Sequence, residues 1–188
     1  EESIVMFYTI EILKLLECLG AASVVHGDLT PDNIWSLNPP TCGDVGEWDR
    51  DGRNGWDKKG ISVTNFEKSI DLTFFPDDVQ IQHPLTGEAV YPNVIDTVAA
   101  ANIIYTLLRQ APLEIEKRNG VLTPKAAMPR WTQVKLWGEL FERLLNNGDL
   151  SGLRDKFENF VETKKSNLRT HFAKLHHEML KAQHRRKE

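Results

Sequence analysis

The chain has 188 residues, 40% of them hydrophobic, and a formal net charge of −4. That length suits one domain or the large part of one, and the charge gives no reason to expect nucleic-acid binding. No apolar run is long enough to cross a membrane, and residues 1–25 carry five charged side chains, Glu1, Glu2, Glu11, Lys14 and Glu17, without the basic start of a signal peptide. Cys18 and Cys42 are the only cysteines and have no metal-ligand spacing, so free thiols in a reducing compartment are expected.

Apolar residues at Ile4, Phe7, Tyr8, Ile12, Leu15, Leu16 and Leu19 step by three and four. They predict an amphipathic helix stopped near Gly20. Val24-Val25 then leads into His26-Gly27-Asp28-Leu29-Thr30-Pro31-Asp32-Asn33-Ile34, a tight polar loop between short apolar runs. Residues 36–60 crowd five glycines and a Pro39-Pro40 pair among four aspartates. They read as an insertion loop, and Trp48 and Trp56 within it are expected to pack locally. Ile61–Thr64 alternates like a strand, and residues 76–93 read as irregular. Asp96 to Leu108 is apolar on nearly all sides, which predicts a buried helix with Asp96 capping its start. Residues 112–129 read as a second irregular stretch. Helical spacing returns at Trp131–Leu145, stops at Asn146-Asn147-Gly148, and resumes at Leu153–Val161 and Leu168–Met179.

The loop at 26–33 carries the chemistry. Asp28 can orient and deprotonate a hydroxyl, and the Asn33 amide oxygen can ligate Mg²⁺. The protein-kinase catalytic loop has this form, His-Arg-Asp-Leu, then three intervening residues, then Asn. Here Gly27 stands where that pattern has Arg. The kinase metal motif, Asp-Phe-Gly after a short strand, is matched by Asn65-Phe66-Glu67 after Ile61–Thr64. Phe is kept, a neutral amide replaces the carboxylate, and Glu67 removes the glycine's freedom to take positive φ. A structural reading of the same residues packs His26 under Phe66, bonds Asp28 to backbone N–H groups and makes Asn65 a turn residue. His171, His176 and His177, and Asp49, Asp51 and Asp57, lack the patterns of metal sites, and His184-Arg185-Arg186-Lys187 reads as a solvated basic tail.

At this point the chain resembles the mitotic-checkpoint Bub kinase family. His26–Asn33 is similar to that family's His-Gly-Asp-Leu loop. Lys68-Ser69-Ile70-Asp71-Leu72-Thr73-Phe74-Phe75-Pro76 is similar to its segment after the metal motif. Val94-Ile95-Asp96 and Trp137-Gly138-Glu139-Leu140-Phe141 are similar to two of its helices. The resemblance implies an α+β protein-kinase-like fold, a mainly helical C-terminal lobe with short strands around the catalytic loop, over residues 1–188. It implies Asp28 as the base, and Asn33 and Asn65 as nucleotide- and metal-side positions, Asn65 degraded. It also implies ATP and Mg²⁺ if the site is active and no cofactor if it is not. Checkpoint and kinetochore proteins are the implied partners. The cytoplasm and nucleus, with kinetochores in mitosis, are the implied locations.

Several features separate the possible functions. Thr30 stands where many Ser/Thr kinases have a Lys that steadies the transferred phosphoryl group. There is no Ala-Pro-Glu, and residues 67–95 are short for an activation segment. A Gly-rich phosphate loop, a Val-Ala-x-Lys strand and a Glu-bearing partner helix are all missing, so an N-terminal kinase lobe is expected in cis in a longer protein. The favoured expectation is a degenerate, BubR-like pseudokinase lobe with a scaffold role. The alternatives are a working atypical Ser/Thr kinase and a small-molecule phosphotransferase of the aminoglycoside or choline kinase type.

Overall fold

The computed structural model describes residues 2–36, 60–76, 78–163 and 174. The insertion at 36–60, apart from its two end residues, lies outside them. So do Cys42, Trp48, Trp56, the aspartates at 49, 51 and 57, the histidines at 171, 176 and 177, and the basic tail.

Four helices make the body of the described residues: α1 (Glu2–Ala21), α2 (Val94–Arg109), α3 (Val134–Leu145) and α4 (Leu153–Thr163). Helix α1 packs on α2 and α4, and α3 packs on α2. Met6, Leu13, Ile104, Trp137, Leu140, Phe141, Leu144, Leu145, Leu153 and Phe157 meet between them, almost wholly shielded from solvent. Each such side chain contributes about 1.5–3 kcal/mol relative to exposure, so this cluster, which also takes in Leu29 of the polar loop, dominates the stability of the lobe. Trp137 stacks on Phe141 and meets Phe157 edge-on at 5.1 Å. Its indole N–H donates to the Glu2 carboxylate at 2.8 Å, tying α3 to the start of α1. Arg154 and Glu17 pair at 2.7 Å across α4 and α1.

Among the described residues, eight short strands form four two-stranded antiparallel sheets. They are β1 (Val24–Val25) with β4 (Ile70–Asp71), β2 (Ile34–Ser36) with β3 (Ile61–Val63), β5 (Ile81–Gln82) with β6 (Ala89–Val90), and β7 (Ile115–Arg118) with β8 (Val121–Pro124). The architecture is the expected α+β arrangement, helical with short strands around the polar loop. In β2 and β3, Ile34, Ile61 and Val63 pack on the core, while Trp35, paired with Ser62, is exposed on the opposite face. That is the alternation a half-buried hairpin requires.

Three expectations are corrected. Residues 112–129 are not wholly irregular: β7 and β8 form a hairpin there. Asn119 and Gly120 make its two-residue turn with φ of 51° and 85°, the left-handed pair that an Asn-Gly hairpin turn demands. Residues 76–93 likewise hold the β5–β6 hairpin, with the buried His83 ring accepting from the Leu85 backbone N–H at 3.0 Å. Helix α3 begins at Val134, not Trp131. Thr132 and Pro129 form a turn ahead of it, leaving the Trp131 side chain exposed.

Candidate active site

Two hairpin pairings bring the site together. Strand β1 runs into His26, and β4 follows Lys68. Their register sets Val24 opposite Asp71 and Val25 opposite Ile70. Continued outward, it sets Gly27 opposite Lys68. Strands β2 and β3 pair Ile34 with Val63, and the Thr64 N–H donates to the Asn33 carbonyl at 3.0 Å. The loop at 26–33 and the turn at 65–68 are thereby fixed face to face, although more than thirty residues of chain separate them.

The first half is anchored from below. His26 is fully buried. Its Nδ1 accepts the Asp28 backbone N–H at 3.2 Å, so its Nε2 carries the hydrogen and donates to the Thr64 carbonyl at 3.0 Å. Its ring meets Phe66 edge-on at 4.7 Å, the packing expected from the sequence. The His26 and Gly27 backbone N–H groups donate to the two Asp96 carboxylate oxygens, at 2.6 and 3.0 Å. Asp96 is therefore not the cap of its own helix: Asn93 holds that position, and Asp96 instead caps the loop. Burial pushes its carboxyl above the ordinary carboxylate range, against the pull of the two donors.

Asp28 lies at the surface end of this loop. Asn33 Nδ2 donates to the Asp28 carbonyl at 2.8 Å and reaches its Oδ2 at 3.3 Å. Lys68 Nζ sits 3.1 Å from Asp28 Oδ1. The Asp28 carboxylate thus rests on an amide and an ammonium, not on the backbone N–H groups expected for a structural role. An open groove of about 380 Å³ runs from Gly27 and Asp28 along Leu29, Leu85, Val98 and Ile115.

The second half is more exposed. Asn65 takes φ 65°, ψ 65°, a left-handed conformation that Asn adopts more readily than most residues. Its Nδ2 faces Asn33 Oδ1 at 3.4 Å. Asn65 is therefore both a turn residue and a neighbour of Asn33. Glu67 is not at positive φ but lies in the short 3-10 turn Phe66–Lys68, so losing glycine there brings no backbone strain.

The three residues singled out in the sequence, Asp28, Asn33 and Asn65, are brought together. Two others were missed. Asp96 had a local explanation as a helix cap, and only the tertiary fold puts it under the loop. Lys68 follows a degraded motif and had no local signal. For Mg²⁺ the donor set fits poorly. The Asn33 oxygen faces an amide N–H₂, the Asp28 carboxylate already holds an ammonium, and no carboxylate stands at position 65. Turning the Asn65 amide would offer an oxygen but no charge, and hard divalent cations favour anionic oxygen ligands.

The chain is 30% identical over 184 residues to the mitotic checkpoint serine/threonine-protein kinase BUB1 of Arabidopsis thaliana, covering 86% of this chain and 35% of that one. The chain is homologous to the Bub checkpoint kinases. It is also 35% identical over 166 residues to the spindle assembly checkpoint serine/threonine-protein kinase bub1 of Schizosaccharomyces pombe, covering 78% of this chain and 16% of that one. This Bub homologue therefore spans about a third or less of each of these relatives. Its fold matches the crystal structure of the BubR1 kinase domain with a TM-score of 0.77 and 23% identity, over 93% of this chain and 54% of that one. At that identity the likeness carries the kinase-domain fold alone and does not decide between the BUB1 and BubR branches. No protein-family model matches the chain.

Proposed function

We propose that this Bub homologue is the large lobe of a checkpoint kinase-like domain whose metal-holding half has degenerated, so that it serves mainly as a folded scaffold. The observation that carries the reading is the amide pair Asn33–Asn65, in place of an amide and a carboxylate. Mg²⁺ over the nucleotide phosphates supplies much of the charge stabilisation in phosphoryl transfer, and a neutral pair holds it weakly. The lobe works with an N-terminal lobe in cis; its likeness to 54% of the solved BubR1 kinase-domain chain supports this. Its partners are checkpoint and kinetochore proteins, met in the cytoplasm, the nucleus and at mitotic kinetochores, as the names of its homologues suggest.

The second reading is a working atypical Ser/Thr kinase. It is favoured by the intact loop: Asp28 is partly exposed and held by Asn33. Asp28 would take the proton of a Ser or Thr hydroxyl as its oxygen bonds to the γ-phosphorus of ATP and ADP leaves. The small-molecule phosphotransferase alternative is set aside, because the homologues are protein kinases.

Calorimetry on the complete protein, titrated with ATP in Mg²⁺, in Mn²⁺ and in EDTA, separates the first two. The scaffold reading expects weak binding that metal does little to improve. Tight, metal-dependent binding would overturn it. Under the second reading, Asp28→Asn lowers the rate of peptide phosphorylation by about 10²–10⁴-fold, and a variant as active as the parent removes Asp28 as base.

A further inference from the structure

Thr30 leaves the site without a lysine two residues after the candidate base, and Asn65 leaves it without a carboxylate for metal. A cation nevertheless stands on Asp28: Lys68 Nζ, 3.1 Å from Oδ1. It comes from a different part of the chain, and the main chain delivers it. Lys68 lies opposite Gly27 in the continued β1–β4 register. A Cβ at residue 27 would lie 2.4 Å from the Lys68 carbonyl oxygen, and Gly27 has φ 77°. Only glycine lets the Lys68 backbone come this close, so Gly27 and Lys68 form one unit.

The ammonium is exposed, but its position is set by its neighbours. Its side chain is about two-thirds exposed, and it sits where three polar groups converge, with Asn33 Nδ2 on the other oxygen of Asp28 and Asn65 beyond Asn33. The Lys68 ammonium and the Asn33 amide N–H₂ take up the two oxygens of Asp28, which leaves that carboxylate poorly placed to hold a divalent cation and sets a positive charge beside it. The candidate base marks the end of a nucleotide site at which the phosphoryl group is transferred. A positive charge beside it therefore meets the terminal phosphate rather than the base or sugar.

We propose that Lys68, placed by Gly27, binds the terminal phosphoryl group of a nucleoside triphosphate. It supplies from position 68 the charge absent at Thr30, and does so without relying on a divalent metal. This rests on the reading of the lobe as a kinase-like nucleotide site with a weakened metal position. Lys68 keeps its long stem and freedom to swing from Asp28 to the phosphate, exchanging one anionic partner for another.

The test is calorimetry on the complete protein with ATP and with ADP, in Mg²⁺ and in EDTA, for the parent, Lys68→Met and Lys68→Arg. The expected result is that Lys68→Met lowers ATP affinity by about 10–100-fold in both buffers, the range for one charge-assisted contact. ADP affinity should change much less, Lys68→Arg should recover most of the ATP affinity, and all three melting temperatures should agree. Equal ATP binding by Lys68→Met and parent overturns the proposal. So does an equal loss for ATP and ADP with a lowered melting temperature, which marks a structural role. No binding by the parent at millimolar ATP also overturns it, while leaving the scaffold reading standing. Parent binding that collapses in EDTA instead overturns the weakened-metal reading, whichever way Lys68→Met behaves.

Discussion

The loop at 26–33 and the turn at 65–68 face each other across the same site, but they are held by different forces. The loop sits on a buried carboxylate and a buried imidazole. Its backbone N–H groups are satisfied from beneath by Asp96, and His26 is locked between Thr64 and Phe66. The turn has an amide at a left-handed position, a half-exposed Phe66 and an exposed Lys68. Each half depends on the other for geometry, through the β1–β4 and β2–β3 pairings. The loop is tied directly into the core, through buried Leu29 and Asp96. A framework tied into the core is expensive to alter, whereas a side chain at the rim can lose its charge without unfolding anything. Asn65 in place of a carboxylate is a change of that second kind.

The difference is sharpest at Asp96. Asp96→Ala strands the buried His26 donor and the half-buried Gly27 donor, the first costing about 1–3 kcal/mol and the second less, so a loss of about 1–5 kcal/mol in urea-unfolding free energy is expected. A loss under 1 kcal/mol would show that the loop does not need its support. The same residue predicts a pH dependence. Burial raises its native pKa above the unfolded value. The stability it contributes is therefore full below the unfolded pKa and is lost as pH rises through the raised native one. The stability of the parent relative to Asp96→Asn should be largest in acid and fall as pH climbs. A gap that widens with pH would mean that the two N–H donors outweigh burial.

Gly27→Ala strikes the seam between the halves. The new Cβ meets the Lys68 carbonyl oxygen at 2.4 Å, and a non-glycine residue at positive φ adds strain of about 1–2 kcal/mol to an overpacking term of about 1–3 kcal/mol. A destabilisation of about 2–5 kcal/mol is expected in the same assay. Because Lys68 must retreat, its ion pair with Asp28 should break as well. A crystal structure of the variant with Lys68 Nζ still in contact with Asp28 would uncouple the two residues.

What could be read from the chain alone follows the same division. The helices were legible because their apolar residues repeat within a few positions, as at Leu140, Phe141, Leu144 and Leu145. The loop was legible because His26, Asp28 and Asn33 are fixed by local offsets. Asp96 was given a local role because its partners lie some seventy residues away and no short-range pattern encodes that distance. Lys68 was passed over for a similar reason: its meaning comes from a two-residue strand pairing too short to leave an alternating signal. The β7–β8 hairpin was missed although Asn119-Gly120 announced it, because the flanking prolines at 112 and 129 suggested an irregular stretch.

Asn65→Asp addresses the exposed half alone. The position already has left-handed φ and ψ, which Asp tolerates nearly as well as Asn, so the fold should be unchanged within about 0.5 kcal/mol. The new carboxylate faces Asn33 and gives the site the anionic oxygen that its amide pair lacks. Nucleotide affinity in Mg²⁺ should then exceed that in EDTA by about tenfold more than in the parent, equivalent to about 1.4 kcal/mol. Two outcomes are informative because the backbone is held constant. A gain in metal dependence would mean that one charge separates this lobe from a metal-binding kinase site, with the loop ready to use it. An unchanged ratio, with the carboxylate taken up by Lys68 instead, would mean that the ammonium has displaced the metal's role and that restoring the acid alone cannot bring it back. Asn65→Asp combined with Lys68→Met distinguishes these, since removal of the ammonium should release the metal dependence only in the second case.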